Sequence, residues 1–318
     1  MLLVNSGSRF FKALPLILLL LLVSACSEEK PKYVNMQHRV ELAVPTPPPA
    51  ITYAYLPQYS HTVSFRRHDP LIRYLRRETG LNIRQVFPNT FDEHLKMVEQ
   101  GKIDISFSNP LVYVRMADNH GAEAFARIVE PGGKAMFRGQ IITRSDHPEI
   151  SSIQDCRGKK WIAVDRDSAG GFLFDLGYFM DQGLQATDFS EISFAPGPGG
   201  KQEKVVLAVH AGKYDIGSIR EGTLDVVRDK VDLSQIRVLA HTPWYPSWVY
   251  AARRNLDPKT RDLIAAALKR LDPSVPEHRV ILAQAGIERI IPSTNTDFDS
   301  IRDLVNKISR GRHDKTLP

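Results

Sequence analysis

The chain has 318 residues, of which 42% are hydrophobic and 25% charged, so it can form two folded domains and does not resemble a disordered chain. Its formal net charge is +6, and the basic residues are too scattered to form the stripe that binds nucleic acid. It has two cysteines, far apart in the sequence and not clustered with histidines, which argues against a disulfide framework and against a structural metal.

The first 25 residues predict a lipoprotein signal peptide. Arg9 and Lys12 precede an apolar run over residues 13–23, which is too short to span a bilayer comfortably. Cys26 follows a pair of small residues, as the lipidated cysteine of a bacterial lipoprotein does. A plain signal peptide cut near Ala25, or an uncleaved anchor, is the alternative. Residues 26–49 then predict a lipidated cysteine and a proline-rich tether.

Residues 50–143 predict the first part of an α/β lobe. Short apolar strands at residues 51–55, 82–87 and 103–107 alternate with helices, which is typical of parallel βαβ units. The first helix is expected to begin at Asp69 as N-cap, with Pro70 in its first turn. A later strand, over residues 136–143, is expected to cross into another lobe.

Residues 144–246 predict a second α/β lobe, and residues 247–318 return to the first. Cys156 is interpreted as a small buried hydrophobe rather than a reactive thiol, because no histidine lies close in sequence. After it, an apolar strand at residues 160–164 precedes a turn rich in small residues and an aromatic helix from Phe172 to Met180.

The turn formed by Ser168, Ala169, Gly170 and Gly171, which we call the Ser168 turn, is a candidate anion site. The N–H groups at the start of the following helix lack helical partners, and the helix dipole favours negative charge there. The glycines let the backbone approach a ligand, and Ser168 offers a hydroxyl or an N-cap. From spacing alone, a capped turn without any ligand is equally supported.

Two lobes joined by two crossings enclose a cleft. Ligands of open α/β sheets collect at the carboxyl ends of strands, where helices begin. The Ser168 turn falls at such an end, as do Tyr113 and the glycine pair at residues 199–200.

Loose motifs follow one another along most of the globular part. They are Leu-Pro-Gln at residues 56–58, Gly-Lys-Ile-Asp at 101–104, Gln-Ile-Ile-Thr-Arg-Ser-Asp at 140–146, Ile-Gln-Asp-Cys-Arg-Gly-Lys at 153–159 and Val-Leu-Ala-Val-His-Ala-Gly-Lys-Tyr-Asp at 206–215. In this order and spacing they resemble the phosphate/phosphonate (PhnD-like) family of periplasmic binding proteins. The resemblance implies a periplasmic binding protein type II-like α/β fold, with two lobes joined by two crossover strands. It also implies a small anionic ligand that is delivered to an ABC importer.

The binding residues of that family carry over only in part. Where the family turn offers Ser-Thr-Ser, this chain has Ser168, Ala169 and Gly170, so two hydroxyls are replaced. The resemblance places Gln202 where the family has a histidine and Phe91 where it has an aromatic residue. Each lost hydroxyl removes a charge-assisted hydrogen bond of about 1.5–3 kcal/mol, which favours a weaker phosphonate site or a different anion.

Further matches concern the sides of the cleft. A second family aromatic falls near Phe137 or Arg138, an acidic residue at Glu221, and an aspartate is replaced around Trp248. An inward-facing Arg138 would clamp an oxyanion, whereas a solvated strand arginine is the equally supported alternative. The expected ligand-binding set is Ser168, Ala169, Gly170, Gly171, Gln202, Tyr113, Phe91, Arg138 and Glu221.

Three functions are compatible with these patterns. The first is a monomeric periplasmic solute-binding protein, held at the membrane by its lipid and serving an ABC permease. The second is a ligand sensor that docks on a membrane histidine kinase. The third, an envelope enzyme, is disfavoured because no nucleophile elbow or nucleophile–base motif occurs. We expect no cofactor, no metal and no nucleic-acid partner.

Overall fold

The computed structural model describes residues 50–311, so the predicted signal peptide, Cys26 and tether lie outside the described residues. Its strands are β1 (Ile51–Tyr55), β2 (Ile83–Gln85), β3 (Ile105–Ser108), β4 (Glu123–Val129), β5 (Met136–Phe137), β6 (Gly139–Arg144), β7 (Lys160–Ala163), β8 (Glu191–Phe194), β9 (Ile216–Arg220), β10 (Ile236–His241), β11 (Tyr245–Pro246), β12 (Val249–Ala252) and β13 (Arg289–Pro292). Its α-helices are α1 (His61–Thr79), α2 (Phe91–Glu99), α3 (Pro110–His120), α4 (Phe174–Asp181), α5 (Lys201–His210), α6 (Thr223–Val227), α7 (Pro258–Lys269), α8 (Pro276–Ala285) and α9 (Asp299–Gly311).

Lobe 1 is built on a six-stranded sheet with the order β13-β4-β12-β3-β1-β2. β1 pairs in parallel with both β2 and β3, which confirms the predicted βαβ units. β12 returns antiparallel between β3 and β4. The sheet therefore contains the strand that follows the second crossing, as expected.

The first helix begins earlier than its sequence predicts. Its N-cap is Ser60, and Pro70 lies inside the helix rather than in its first turn, so the predicted start at Asp69 is wrong. Proline has no N–H to donate to the carbonyl of the preceding turn, that of Arg66. The Gln284 side chain donates to that carbonyl at 2.7 Å, so a neighbouring helix replaces the missing bond.

Lobe 2 is built on a five-stranded sheet with the order β10-β6-β9-β7-β8. β7 pairs in parallel with β8 and β9, which confirms a second βαβ series. The whole of β6 belongs to this sheet, so the predicted lobe boundary at residue 143 is wrong. The chain crosses earlier, where β5 pairs with β11 as a two-stranded connection between the lobes.

The two lobes together confirm the predicted two-lobed α/β fold. Cys156 is fully buried, and burial raises the pKa of its thiol to about 12, which agrees with its interpretation as a hydrophobe. The last helix, α9, packs against α4 of lobe 2 and also against α3 of lobe 1. Within residues 50–311, no helix combines the length and apolarity needed to span a membrane.

Candidate functional site

A pocket lies between the lobes at the carboxyl ends of their strands. Lobe 1 contributes the segments after β1 and β3, the start of α2 and the residue before β12; lobe 2 contributes the ends of β7 and β9 and the start of α5. The lining residues are Pro57, Gln58, Phe91, Asn109, Phe137, Val164, Ser168, Ala169, Gly170, Lys201, Gln202, Arg220 and Trp248. We call this the inner pocket.

The Ser168 turn presents its backbone to the inner pocket. Residues Ala169–Leu173 form a π-helical turn that leads into α4. Ser168 occupies the N-cap position, but its side chain makes no capping hydrogen bond, so the alternative of a turn capped by Ser168 is wrong and the helix does not use its hydroxyl. Among the described residues, no acceptor pairs with the N–H groups of Ala169 and Gly170. Together these groups offer three donors to an anion.

Gly170 is required for this close approach. A Cβ atom added to Gly170 would lie 2.6 Å from the Phe137 ring and 3.2 Å from Cβ of Arg220. Any side chain would therefore push apart the wall of the pocket. Gly171 does not line the inner pocket, and its carbonyl instead accepts a hydrogen bond from the N–H of Val164 at 3.0 Å.

Two cationic side chains line the inner pocket, and no carboxylate side chain of the described residues does so. Arg220 ends β9 and pairs with Glu130 at 2.8 Å, while Lys201 opens α5 and pairs with Asp165. Burial tends to lower the pKa of Arg220, but Glu130 raises it, and the net pKa is raised, so the guanidinium stays charged. The pocket thus has the polarity that an anion requires.

Gln202 is held in one orientation. Its side-chain oxygen accepts hydrogen bonds from the N–H of Arg220 at 2.9 Å and from the Thr223 hydroxyl at 3.3 Å. Because the oxygen is occupied, the NH₂ group remains as a donor. Gln202 therefore presents a neutral donor to the pocket.

The lobes touch across the cleft. The N–H of Gly200 donates to the carbonyl of Gln58 at 3.0 Å, and the Asn109 amide donates to the carbonyl of Asp167 at 2.9 Å. Arg115 of lobe 1 forms an ion pair with the Asp167 carboxylate. Each contact joins the two lobes directly beside the inner pocket, which is the arrangement of a closed cleft.

Closure of the two lobes places Asp167 in its buried surroundings. Burial raises the pKa of Asp167 to about 6 from its ordinary value of 3.8; Arg115 lowers the pKa, while Asp165 and Asp92 raise it further. An open cleft would expose Asp167 and return its pKa towards the ordinary value. At pH values between these two pKa values, Asp167 is therefore protonated more often in the closed form than in the open form. Lowering the pH towards 5 consequently favours closure.

We expect anion affinity to increase about tenfold when the pH is lowered from 7.5 to 5. The anion used is an alkylsulfonate, because its own charge does not change in this range. Asp167→Asn should remove this dependence, because the side chain can no longer titrate. Titration calorimetry at both pH values checks the prediction. The opposite slope would mean that the Arg115 ion pair outweighs burial.

Other predicted ligand-binding residues lie outside the inner pocket. Tyr113 is fully buried, and its hydroxyl donates to Asn295 at 2.9 Å and accepts from the N–H of Ala124 at 3.2 Å. Arg138 pairs with Glu221 at 2.6 Å and lies over the ring of Trp244 at 4.5 Å. Glu221 and Trp244 line a wider outer space of the cleft, which we call the mouth. Neither Arg138 nor Glu221 lines the inner pocket.

Sequence reasoning missed Arg220, Lys201 and Asn109. The signal that locates them is positional, because Arg220 ends a strand, Asn109 directly follows one, and Lys201 begins a helix. The rule that places ligands at carboxyl strand ends applies to all three. What the sequence lacks is the pairing order that brings these ends together.

Comparison with known proteins identifies the family. A family model described as "ABC transporter, phosphonate, periplasmic substrate-binding protein" matches residues 53–298. The chain belongs to this family. This phosphonate-binding family consists of periplasmic binding proteins of ABC transporters, so the chain is a binding protein and not an enzyme, which confirms the prediction from its sequence.

The proteins similar to this chain include components of transporters and a sensor kinase. The chain is 26% identical over 303 residues to the phosphate-import protein PhnD of Mycolicibacterium smegmatis, with 89% of this chain and 91% of that protein covered. It is 24% identical over 218 residues to the tetrathionate sensor histidine kinase TtrS of Salmonella typhimurium, covering 64% of this chain and 37% of the kinase. A crystal structure of a binding protein component of an ABC phosphonate transporter from Pseudomonas aeruginosa superposes with a TM-score of 0.73 at 18% identity, covering 85% of this chain and 90% of that chain.

Proposed function

We propose that this member of the phosphonate-binding family is a lipid-anchored protein that captures a small tetrahedral oxyanion in the inner pocket and delivers it to an ABC importer. The lipid is carried by Cys26, and residues 27–49 tether the binding domain to the membrane. The anion is enclosed when the two lobes close. A monomer is sufficient, because both walls of the pocket belong to one chain.

The observation that carries this proposal is the donor set of the inner pocket. The Ser168 hydroxyl and two unpaired backbone N–H groups face the same space as Arg220 and Lys201. Backbone donors at a helix start and charged side chains are the groups that stabilise a buried oxyanion. The two cations replace the hydroxyls that the Ser168 turn lacks.

The aromatic walls complete the site. Phe91, Phe137 and Trp248 line the inner pocket and are almost fully buried. They exclude water from the anion, which strengthens its hydrogen bonds with the pocket. Of the other predicted site residues, Ala169, Gly170 and Gln202 contribute donors here, whereas Glu221 lies at the mouth.

A thermal-shift panel tests the proposal. The mature chain is heated with phosphate, phosphite, methylphosphonate, sulfate, methanesulfonate or acetate, and an anion at about 1,000 times its Kd should stabilise the protein by about 4 kcal/mol. Ser168→Ala should reduce the affinity about tenfold by removing one charge-assisted hydrogen bond. Ser190→Ala is the control, because Ser190 lies outside the cleft pockets. A panel without any shift, or a shift with acetate alone, would contradict the proposal.

A sensor function is the second candidate, and the similarity to part of the tetrathionate sensor histidine kinase TtrS favours it. The protein with its cleft closed would then dock on a kinase instead of a permease. Deleting the gene distinguishes the two roles. Loss of uptake of the radiolabelled anion indicates the importer, whereas normal uptake with loss of an anion-induced transcript indicates the sensor.

A further inference from the structure

A second space lies next to the inner pocket, on the lobe 1 side. It shares Gln58, Arg220 and Trp248 with the inner pocket. Among its other lining residues are Tyr55, Ser64, Arg67, His68, Phe107 and Glu130. We call it the lobe 1 chamber. About 40 Å³ is open to the centre of a water molecule, which corresponds to room for roughly three waters or as many ligand atoms.

The walls of the lobe 1 chamber are aromatic. Tyr55 stacks on His68 with ring centroids 4.6 Å apart, and Phe107 lies between His68 and Trp248 at 5.4 and 5.3 Å. Burial lowers the pKa of His68 to about 3, with Arg67 adding to the effect, so this ring is neutral at physiological pH. The aromatic part of the wall thus suits a partly apolar group.

Polar atoms without good partners face this space. The hydroxyls of Tyr55 and Ser64 are buried, and neither has a well-aligned partner in the described part of the chain; the residues are only 4% and 1% exposed. Ser64 lies close enough to lower the pKa of Tyr55 against the larger rise caused by burial. A contact between the two hydroxyls uses at most one of their two O–H donors. At least one donor therefore remains for a ligand.

Glu130 supplies an acceptor. One of its carboxylate oxygens pairs with Arg220, and the other is buried without a partner among the described residues. The charges that line the chamber are two guanidinium groups, those of Arg67 and Arg220, and this single carboxylate. The balance is positive, so an ammonium group is disfavoured there while a hydroxyl can both donate and accept.

We propose that the lobe 1 chamber binds a short, uncharged, hydroxyl-bearing substituent of the anion, so that the ligand is a hydroxyalkyl oxyanion rather than an inorganic anion or an aminoalkyl one. This inference rests on the proposed function, because the anionic head occupies the inner pocket. The substituent passes Gln58 and Trp248, where the two spaces meet. Its hydroxyl then reaches the Tyr55–Ser64 pair or Glu130.

Titration calorimetry on the mature chain tests the chamber with three probes that share one head group: methylphosphonate, 2-hydroxyethylphosphonate and 2-aminoethylphosphonate. One added methylene and one hydrogen bond should make the hydroxyethyl compound bind about tenfold more tightly than the methyl compound. The aminoethyl compound should bind at least about tenfold less tightly than the hydroxyethyl compound. Methanesulfonate and 2-hydroxyethanesulfonate repeat the comparison on a sulfonate head.

Variants assign the preference to the chamber. Tyr55→Phe and Ser64→Ala should each reduce the preference for hydroxyethyl over methyl about threefold. Tyr250→Phe is the matched control, because this tyrosine also carries a buried hydroxyl in lobe 1 but lines neither space. It should leave the preference unchanged.

Several results would overturn the proposal in different ways. Equal affinity for methyl and hydroxyethyl compounds would show that the chamber takes no substituent, while the anion site stands. Tightest binding of the aminoethyl compound would place an ammonium group near the carboxylates of the mouth. Failure of every phosphonate and sulfonate to bind while phosphate or sulfate still binds would refute a substituted ligand, and failure of phosphate and sulfate as well would refute the anion site itself.

Discussion

Replacing Arg220 by methionine is expected to weaken anion binding about 100-fold or more. The guanidinium lines the inner pocket, and a charge-assisted hydrogen bond to an anion contributes about 1.5–3 kcal/mol. Its loss also leaves the Glu130 carboxylate, 2.8 Å away in the native pair, without its partner and beside the bound anion. Titration calorimetry with the anion selected by the thermal-shift panel measures the effect.

Two further variants separate binding from folding. Arg220→Met/Glu130→Gln removes both charges and should recover stability but not affinity. Arg253→Met breaks an ion pair of similar burial, with Asp104 at 2.6 Å, that lies in lobe 1 outside the cleft pockets. It should lower the melting temperature and leave the Kd unchanged. If Arg220→Met kept the native Kd, the guanidinium would not contact the anion.

Gly199→Ala is expected to weaken binding about 10- to 100-fold by opposing closure of the lobes. Gly199 has a φ of +58°, and a Cβ atom there would lie 2.9 Å from the N atom of Ser60 and 3.0 Å from the carbonyl of Tyr59, both in lobe 1. The collision exists only while the lobes touch. The open form escapes it, so the variant shifts the equilibrium towards the open cleft.

Gly197→Ala provides the matched control. Gly197 also has a positive φ, +71°, but an added Cβ would meet only the flexible end of Lys204 at 3.5 Å. Both variants share the cost of a left-handed alanine, about 1–2 kcal/mol, and should lower the melting temperature of the free protein similarly. Only Gly199→Ala should lose affinity. Equal affinities of the two variants would contradict a role for this contact in closure.

Much of the fold could be predicted from the sequence because its signals are local. Alternating apolar strands and capped helices gave the βαβ units of both lobes and the two crossings between them. The start of α1 could not be predicted in this way. A proline normally marks a first turn, and the Gln284 side chain that replaces its missing hydrogen bond is more than 200 residues away along the chain.

The candidate site was predictable where it depends on the local backbone and unpredictable where it depends on pairing. The Ser168 turn could be found from its strand, its glycines and its helix. Arg220 and Lys201 could not, since an arginine at a strand end binds an anion only if the neighbouring strands bring other donors beside it. Tyr113 shows the converse. It lies near the start of α3, which follows the carboxyl end of β3, where a ligand is expected. Its side chain nevertheless packs away from the cleft onto Phe298, with ring centroids 4.6 Å apart.

The central claim is that a tetrahedral oxyanion lies between Ser168 and Arg220 in the closed cleft, and the most direct measurement is anomalous diffraction from crystals grown with arsenate. We predict one strong arsenic peak within hydrogen-bond reach of the Ser168 hydroxyl, the N–H groups of Ala169 and Gly170 and the Arg220 guanidinium. A peak at the mouth beside Arg138, or a cleft without a peak at arsenate concentrations that stabilise the protein in solution, would contradict the account.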